Sequence, residues 1–415
     1  MKNTNYVPIS KIRLLVLILF VYATGIAQND SIRLMSYNLM MYPSGTNYAR
    51  EAYLSAIINA YRPDIFTVCE LETSAAAVDI LNHVLQPVNT AYRSAVFEPN
   101  HSTPNSTLQQ FLYYNSDKLE LYAQSYLTTN IRDINKYTLY LKTAELATGD
   151  TLFIDVYVMH LKASQGQTNE DKRLQMVQVL MQDLQNIPAG HYVLVTGDLN
   201  LYYSGEPAYQ ELTDPNNAVV LKDPVNAPGY WHNNSSFAWL HTQATNTNKG
   251  GNFVGGGLDD RFDFILVSEN VMNSSEAFHY KPGSYAAYGN NGNCFNDNVN
   301  DPWCSGNFSQ SLRDNLYEMS DHLPVTATFE TTHHLVGIKK SALEKIHIYP
   351  NPAYDFLYVP QTGNQSFFIT DVTGKIILHL TPEKNEKWYI GHLKPGIYYV
   401  RSNNPNDAPA PFVKL

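Results

Sequence analysis

Val193-Leu194-Val195-Thr196-Gly197-Asp198-Leu199-Asn200 is an apolar run that closes on a glycine, a carboxylate and an amide. Four consecutive residues of this kind suit a strand buried on both faces. Gly197 lets the chain turn at its end, and Asp198 and Asn200 then point to one side. A carboxylate can orient a water or hold a cation, and an amide can donate to a phosphoryl oxygen. Taken alone, Gly197-Asp198-Leu199-Asn200 also reads as an Asx turn or a helix cap.

The pattern recurs in chain order. Leu34-Met35-Ser36-Tyr37-Asn38 ends on an amide, Ile65-Phe66-Thr67-Val68-Cys69-Glu70 on a carboxylate and Val156-Tyr157-Val158-Met159-His160 on an imidazole. Arg261-Phe262-Asp263-Phe264-Ile265-Leu266 carries an acid inside an apolar strand, and Ser320-Asp321-His322 precedes Leu323-Pro324-Val325. A histidine that takes a proton from water needs a carboxylate behind it to fix its tautomer. Asp263 is the expected partner of His322, because an unpaired carboxylate in an apolar strand is costly; pairing with Arg261 is the alternative. Glu70 is the expected divalent-metal ligand, with Glu72 as its rival, Asn38 beside it and Asp321 within reach. Hard cations such as Mg²⁺ take oxygen ligands and keep several waters, so one or two carboxylates suffice. His160 is a candidate donor to a phosphoryl oxygen, Arg173 a candidate brace or ion-pair member, and His241 a candidate substrate contact.

Composition limits the possibilities. The 415 residues allow a large core and more than one domain, and 44% hydrophobic with 16% charged residues describes a folded, weakly charged chain. Lys2, Lys11 and Arg13 precede an apolar run from Leu14 to Tyr22 and the small-residue stretch Ala23–Ala27. That is the plan of a signal peptide, residues 1–27, and the run is about half of the ~20 residues a membrane span requires. No second long apolar run follows, so a soluble, exported protein is expected. Residues 28–341 hold 18 Lys/Arg against 32 Asp/Glu, a net of −14. No basic stripe for clamping nucleic acid is visible. Of three cysteines, Cys69 lies in an apolar strand and is expected as a buried thiol. Cys294 and Cys304 flank an Asn/Asp/Gly-rich loop; closure of such a loop contributes about 2–3 kcal/mol, and the sequence leaves open whether they pair. The Asn/Asp-rich segment 289–301 is also an open candidate for a structural Ca²⁺.

Between Ser31 and Phe329, strand-like runs alternate with helices expected at Tyr48–Ala60 and Glu170–Gln185, where apolar residues recur every three and four positions. Asn226–Gly257 and Gly289–Asn307 read as long loops over the site. A linker is expected at 334–344. Beyond it, short runs at Ile346–Tyr349, Phe356–Val359, Ser366–Thr370, Ile376–Leu380, Lys387–Ile390, Gly396–Arg401 and Phe412–Leu415 predict a small β-sandwich over 345–415.

With these six motifs in this order, residues 31–330 resemble the endonuclease/exonuclease/phosphatase superfamily, the relatives of DNase I. The resemblance implies an α/β fold, a four-layer sandwich with two mixed β-sheets between helices, spanning about 28–333. It also implies divalent-metal-dependent cleavage of phosphate esters, with Mg²⁺ or Mn²⁺ held at Asn38, Glu70 and Asp321. His160, Asp198, Asn200, Asp263 and His322 are then the catalytic set: His160 on the phosphate, Asp198 and Asn200 positioning nucleophile and charge, and Asp263 behind His322. Nucleic acid is the leading substrate, with sphingomyelin-type headgroups or inositol phosphates as alternatives; a non-catalytic surface binding protein is the reading from another class. The tail resembles the type A sorting domain of type IX secretion, through Ile348-Tyr349-Pro350-Asn351-Pro352, Asp371-Val372-Thr373-Gly374-Lys375 and Leu393-Lys394-Pro395-Gly396-Ile397-Tyr398-Tyr399-Val400. That implies engagement with the secretion machinery and a secreted or surface location.

Overall fold

The computed structural model describes residues 30–104, 106–336, 344–346, 348–359, 366–372, 375–380, 387–402 and 407–415. The signal peptide expected at 1–27 and most of the expected linker lie outside the described residues.

In the larger unit the strands are β1 (Asp30–Tyr42), β2 (Ile65–Leu71), β3 (Tyr92–Ser94), β4 (Gln109–Asn115), β5 (Leu119–Leu127) and β6 (Ile134–Leu141). They continue with β7 (Phe153–His160), β8 (Tyr192–Asp198), β9 (Leu221–Lys222), β10 (Asp263–Ser268), β11 (Phe278–Tyr280), β12 (Ala286–Ala287) and β13 (Val325–Thr331). The helices are α1 (Glu51–Tyr61), α2 (Ser74–Asp79), α3 (Gln167–Leu184), α4 (Pro207–Leu212) and α5 (Gln310–Met319). One sheet has the order β11-β13-β1-β2-β4-β3, with β12 also on β13; the other runs β5-β6-β7-β8-β10-β9. Both are mixed: β1 is parallel to β2 and β7 to β8, while their other neighbours are antiparallel.

The alternation of side chains across β8 shows how the layers assemble. Leu194 joins the core between the sheets, whereas Val193 and Val195 join Met176, Val177 and Leu180 of α3 on the far side. Val156 and Val158 of β7 likewise face inward, with Tyr157 and Met159 under α3. On the other flank, Leu54, Ile57 and Ile58 of α1 and Leu316 and Met319 of α5 cover the first sheet. The result is the expected four-layer sandwich. Each fully buried aliphatic side chain contributes about 1.5–3 kcal/mol relative to exposure. Deep in the sandwich, polar contacts between the sheets include the Thr67 and Thr196 hydroxyls at 3.0 Å and the Cys69 thiol donating to the Met159 carbonyl. Cys69 is thus a buried free thiol.

Several boundaries move for physical reasons. α1 starts at Glu51 rather than Tyr48, because Arg50 is drawn inward to donate to the Leu39, Met40 and Met319 carbonyls and the Tyr48 hydroxyl donates to Glu318. α3 begins earlier than expected, at Gln167, from Gly166 at φ 98°. β10 begins at Asp263, not Arg261, because Arg261 leaves the strand to make a bidentate pair with Asp223. Cys294 and Cys304 form a disulfide. In the 289–301 loop, left open as a Ca²⁺ candidate, Asp297 accepts from Trp303 and Asp301 from Asn298, and no group of metal-ligating side chains lies there among the described residues.

The C-terminal unit is all-β. Its strands are β14 (Glu344–Lys345), β15 (Phe356–Tyr358), β16 (Phe367–Thr370), β17 (Ile376–Leu380), β18 (Lys387–Tyr389), β19 (Gly396–Ser402), β20 (Asp407–Ala408) and β21 (Ala410–Lys414). Leu357, Phe367, Ile369, Ile390, Val400 and Phe412 form a core of its own. Of the strand expected at 346–349, the described residues 346, 348 and 349 form only an isolated bridge, from Tyr349 to Tyr358. Among the described residues, no helix is long and apolar enough to cross a membrane.

Candidate active site

One edge of the sandwich collects six strand ends. β7 and β8 finish there with His160 and Asp198, β1 and β2 bring Asn38 and Glu70 there near their C-terminal ends, β10 starts there with Asp263 and β13 is preceded by His322. The register enforces this: His160 lies opposite Asp198 across the parallel pair, and Asp263 lies opposite Asp198 across the antiparallel one. They meet in a cleft of about 370 Å³ lined by Glu70, His160, Asp198, Asn200, Asp321 and His322 among others.

Gly197 is required by the close approach of β7. Its φ is 130°, and a Cβ there would stand 1.9 Å from the Met159 carbonyl oxygen. Gly197→Ala is therefore expected to cost at least about 2 kcal/mol, since relief means shifting β8 against β7 where His160 and Asp198 face each other. Urea unfolding checks this, and an unchanged midpoint contradicts it. Met40, Met41, Glu70, Ser164 and Asn200 also line this cleft with φ between 44° and 79°. Non-glycine residues hold that conformation only where their surroundings over-determine it, and such positions gather at functional sites.

The Asn38 amide is the hub. Its Nδ2 donates to Glu70 Oε1 at 3.1 Å and Asp198 Oδ2 at 3.0 Å, bridging carboxylates of different sheets, while its Oδ1 accepts from the Met40 amide. Glu70 Oε2 accepts from the Met41 amide. Glu72, the rival ligand, is instead spent on Ser44 outside the cleft. His160 Nε2 lies 3.5 Å from Asp198 Oδ2 and 3.8 Å from Glu70 Oε1, and its buried Nδ1 has no hydrogen-bond partner. Burial holds the His160 imidazole neutral, and the nearby Arg132 charge works in the same direction. Asp198 is pushed up by burial first, with Asp263 and Glu70 adding and His322 opposing.

His322 Nδ1 is 2.8 Å from Asp263 Oδ2, and its Nε2 is 2.7 Å from the Gln243 side-chain amide. Burial opposes protonation of this ring, but Asp263, Asp198 and Asp321 more than offset it and raise it well above the ordinary imidazole range. With Nδ1–H given to Asp263, Nε2 presents its lone pair to the cleft. The Ser320 hydroxyl accepts from the His322 amide and donates to the Asn38 carbonyl, tying the two together. Asp321 is buried beside them, with Oδ2 accepting from the Val254 amide. Asn200 donates from Nδ2 to the Leu161 carbonyl.

Glu70, His160 and Asp198 offer ligand atoms within 4.8 Å of one another. No lysine or arginine among the described residues forms an ion pair with either carboxylate. Two carboxylates without a lysine or arginine partner, beside a neutral imidazole, fit a divalent cation.

Other expectations fare differently. His241 is fully buried, its ring nitrogens against the Trp231 and Leu258 carbonyls, so it does not face the cleft. Arg173 braces the site from behind: Nε donates to Glu206 and Nη1 to the Lys162 and Ser164 carbonyls. Of the two long loops, 226–257 sends Gln243, Asn252 and Val254 into the cleft, whereas 289–307 does not line it. Gln243 and Arg132, which donates to the His160 and Leu161 carbonyls, are site residues that motif reading missed.

Residues 35–322 match the endonuclease/exonuclease/phosphatase family, and residues 347–409 match the secretion system C-terminal sorting domain. No curated protein matches the chain. Among solved structures, the chain is similar to the human Nocturnin catalytic domain, at 19% identity and TM-score 0.44, covering 73% of this chain and 98% of that one. It is also similar to D. rerio TDP2 in complex with a single-strand DNA product, at 14% and 0.45, covering 73% and 100%. An endonuclease/exonuclease/phosphatase from Bacteroides vulgatus gives 16% and 0.44, again covering 73% and 100%.

Proposed function

The chain belongs to the endonuclease/exonuclease/phosphatase family, and from that premise we propose that it is a secreted, Mg²⁺- or Mn²⁺-dependent phosphodiesterase. The observation that carries the reading is the convergence of Asn38, Glu70, His160, Asp198 and the Asp263–His322 pair on one cleft. In this reading Glu70 and Asp198 hold the cation, with Asn38 orienting both and Asp321 close by. When bound, the cation supplies Lewis-acid stabilisation of charge on the phosphoryl oxygens. His322 Nε2 takes the proton of the attacking water, and Asp263 holds the ring tautomer and steadies the imidazolium. His160 and Asn200 donate to the phosphoryl oxygens, where charge develops as the bond to the leaving oxygen breaks. The catalytic unit spans about 28–333 and the sorting domain about 345–415. The latter directs export to the surface or beyond through type IX secretion.

Nucleic acid is the leading substrate because it is the abundant extracellular phosphodiester. One observation favours the alternative of a small phosphoester, such as a sphingomyelin headgroup or inositol phosphate: no lysine or arginine among the described residues lines the cleft. Polynucleotide binding relies on several such contacts. The test is hydrolysis of plasmid DNA, RNA, sphingomyelin and inositol phosphates by the purified protein, with Mg²⁺ and with EDTA. Turnover of one class that EDTA abolishes is the expected result. A folded protein inert toward all four favours the non-catalytic binding reading.

A further inference from the structure

A second group of metal-ligating side chains stands apart from the ligands above. His232, Asp259 and Asp260 each bring one ligand atom within 4.8 Å of the others. His232 Nδ1 is 2.7 Å from Asp260 Oδ1, and the Tyr202 ring meets the imidazole edge-on with centroids 5.4 Å apart, so the ring is fixed on two sides. The backbone beneath the acids is fixed as well: the amides of Asp259 and Asp260 both donate to the Gln243 carbonyl, at 2.9 and 2.8 Å. His232 and Asp260 are partly exposed, which leaves an entry path.

The charge is unbalanced. Among the described residues, His232 is the only cationic or potentially cationic side chain in an ion pair with either carboxylate. Burial pushes both acids up, and Asp259 adds to the shift at Asp260. Consecutive, half-buried carboxylates facing a single imidazole are held together at a cost that a cation removes.

We propose that His232, Asp259 and Asp260 form a second divalent-cation site, selective for a metal of the zinc or manganese class. One imidazole nitrogen with two carboxylate oxygens is a mixed donor set, which suits those ions better than Mg²⁺ or Ca²⁺. Three protein ligands leave a position for water. The site has a consequence for the neighbouring cleft, because the Gln243 that accepts both aspartate amides also places its side chain 2.7 Å from His322 Nε2. A cation here stiffens the turn that aims Gln243 at the proposed base.

The experiment is calorimetric titration of the full chain with Zn²⁺ after EDTA treatment and dialysis. The wild type is expected to bind two equivalents, while Asp259→Asn and His232→Gln bind one tightly and the other about 100-fold or more weakly. Glu70→Gln, which targets the first site, is expected to retain the tight binding that Asp259→Asn loses. Failure of the catalytic reading thus leaves this result untouched. Anomalous scattering from wild-type crystals soaked in Zn²⁺ tests the same point without any substitution, with a peak expected between His232 and Asp260. Unchanged stoichiometry and affinity in a folded Asp259→Asn/His232→Gln double variant, or a peak only at Glu70, His160 and Asp198, overturns the proposal.

Discussion

Replacing His322 by alanine is expected to lower turnover by about 10²- to 10⁴-fold, the usual contribution of a positioned general base, and also to lower the melting temperature, because Asp263 is left buried without its partner. The ring is the one group in the cleft whose cleft-facing nitrogen, 2.7 Å from the Gln243 amide, is backed by a buried carboxylate at 2.8 Å. The pH profile separates this role from a structural one. Catalysis needs Nε2 unprotonated, so the rate rises with pH as His322 loses its proton. Burial lowers the ring's affinity for that proton, yet Asp263, Asp198 and Asp321 raise it by more. Removing the Asp263 charge with Asp263→Asn must therefore shift the acidic limb toward lower pH while also lowering the plateau. Steady-state rates across pH 5–9 measure both. A limb that stays in place in Asp263→Asn, or a His322→Ala enzyme with wild-type turnover, sinks the assignment.

The largest effect on stability is expected from Arg173→Met, at about 3–5 kcal/mol. Arg173 and Glu206 are both fully buried, and the guanidinium Nε donates to Glu206 Oε2 at 2.8 Å with Nη2 2.7 Å from the same oxygen. Glu206 Oε1 accepts from the Tyr202 amide, and Arg173 Nη1 donates to the Lys162 and Ser164 carbonyls. Methionine preserves volume but leaves Glu206 charged, buried and without its cation. Burial already drives the Glu206 carboxyl up despite its partner, so the orphaned acid is expected to take up a proton or unfold the region. Urea unfolding gives the loss directly. The double substitution Arg173→Met/Glu206→Gln should recover much of it, and a single-variant loss below about 1 kcal/mol contradicts the argument.

What was legible in the sequence follows from periodicity and from the expense of isolated charge. Buried strands ending in polar groups announced themselves in β1, β2, β7 and β8, because an apolar run that stops at Asn, Glu, His or Asp has few structural explanations. Asp263 could be matched with His322 on the same reasoning. Glu70 and Glu72 could not be separated by spacing, since a strand that bends at Glu70, at φ 61°, no longer alternates. Gln243 was invisible for another reason: it sits in an irregular loop, where the chain's path and not its pattern decides which side chain reaches His322. His241 shows the converse, a polar residue next to that loop whose ring is consumed by two carbonyls. Arg173, open in the sequence between a brace and an ion pair, and Arg50, which no motif singled out, both sit in the interior bonded to carbonyl oxygens.

The proposed reaction centre is divided between the two sheets. Asn38, Glu70 and His322 belong to one, and His160, Asp198 and Asp263 to the other, with Asn38 spanning the seam. A chain in which either half has formed alone holds only part of the constellation and is chemically silent. Activity should then vanish in step with separation of the halves instead of fading gradually, so the assay doubles as a reporter of their docking.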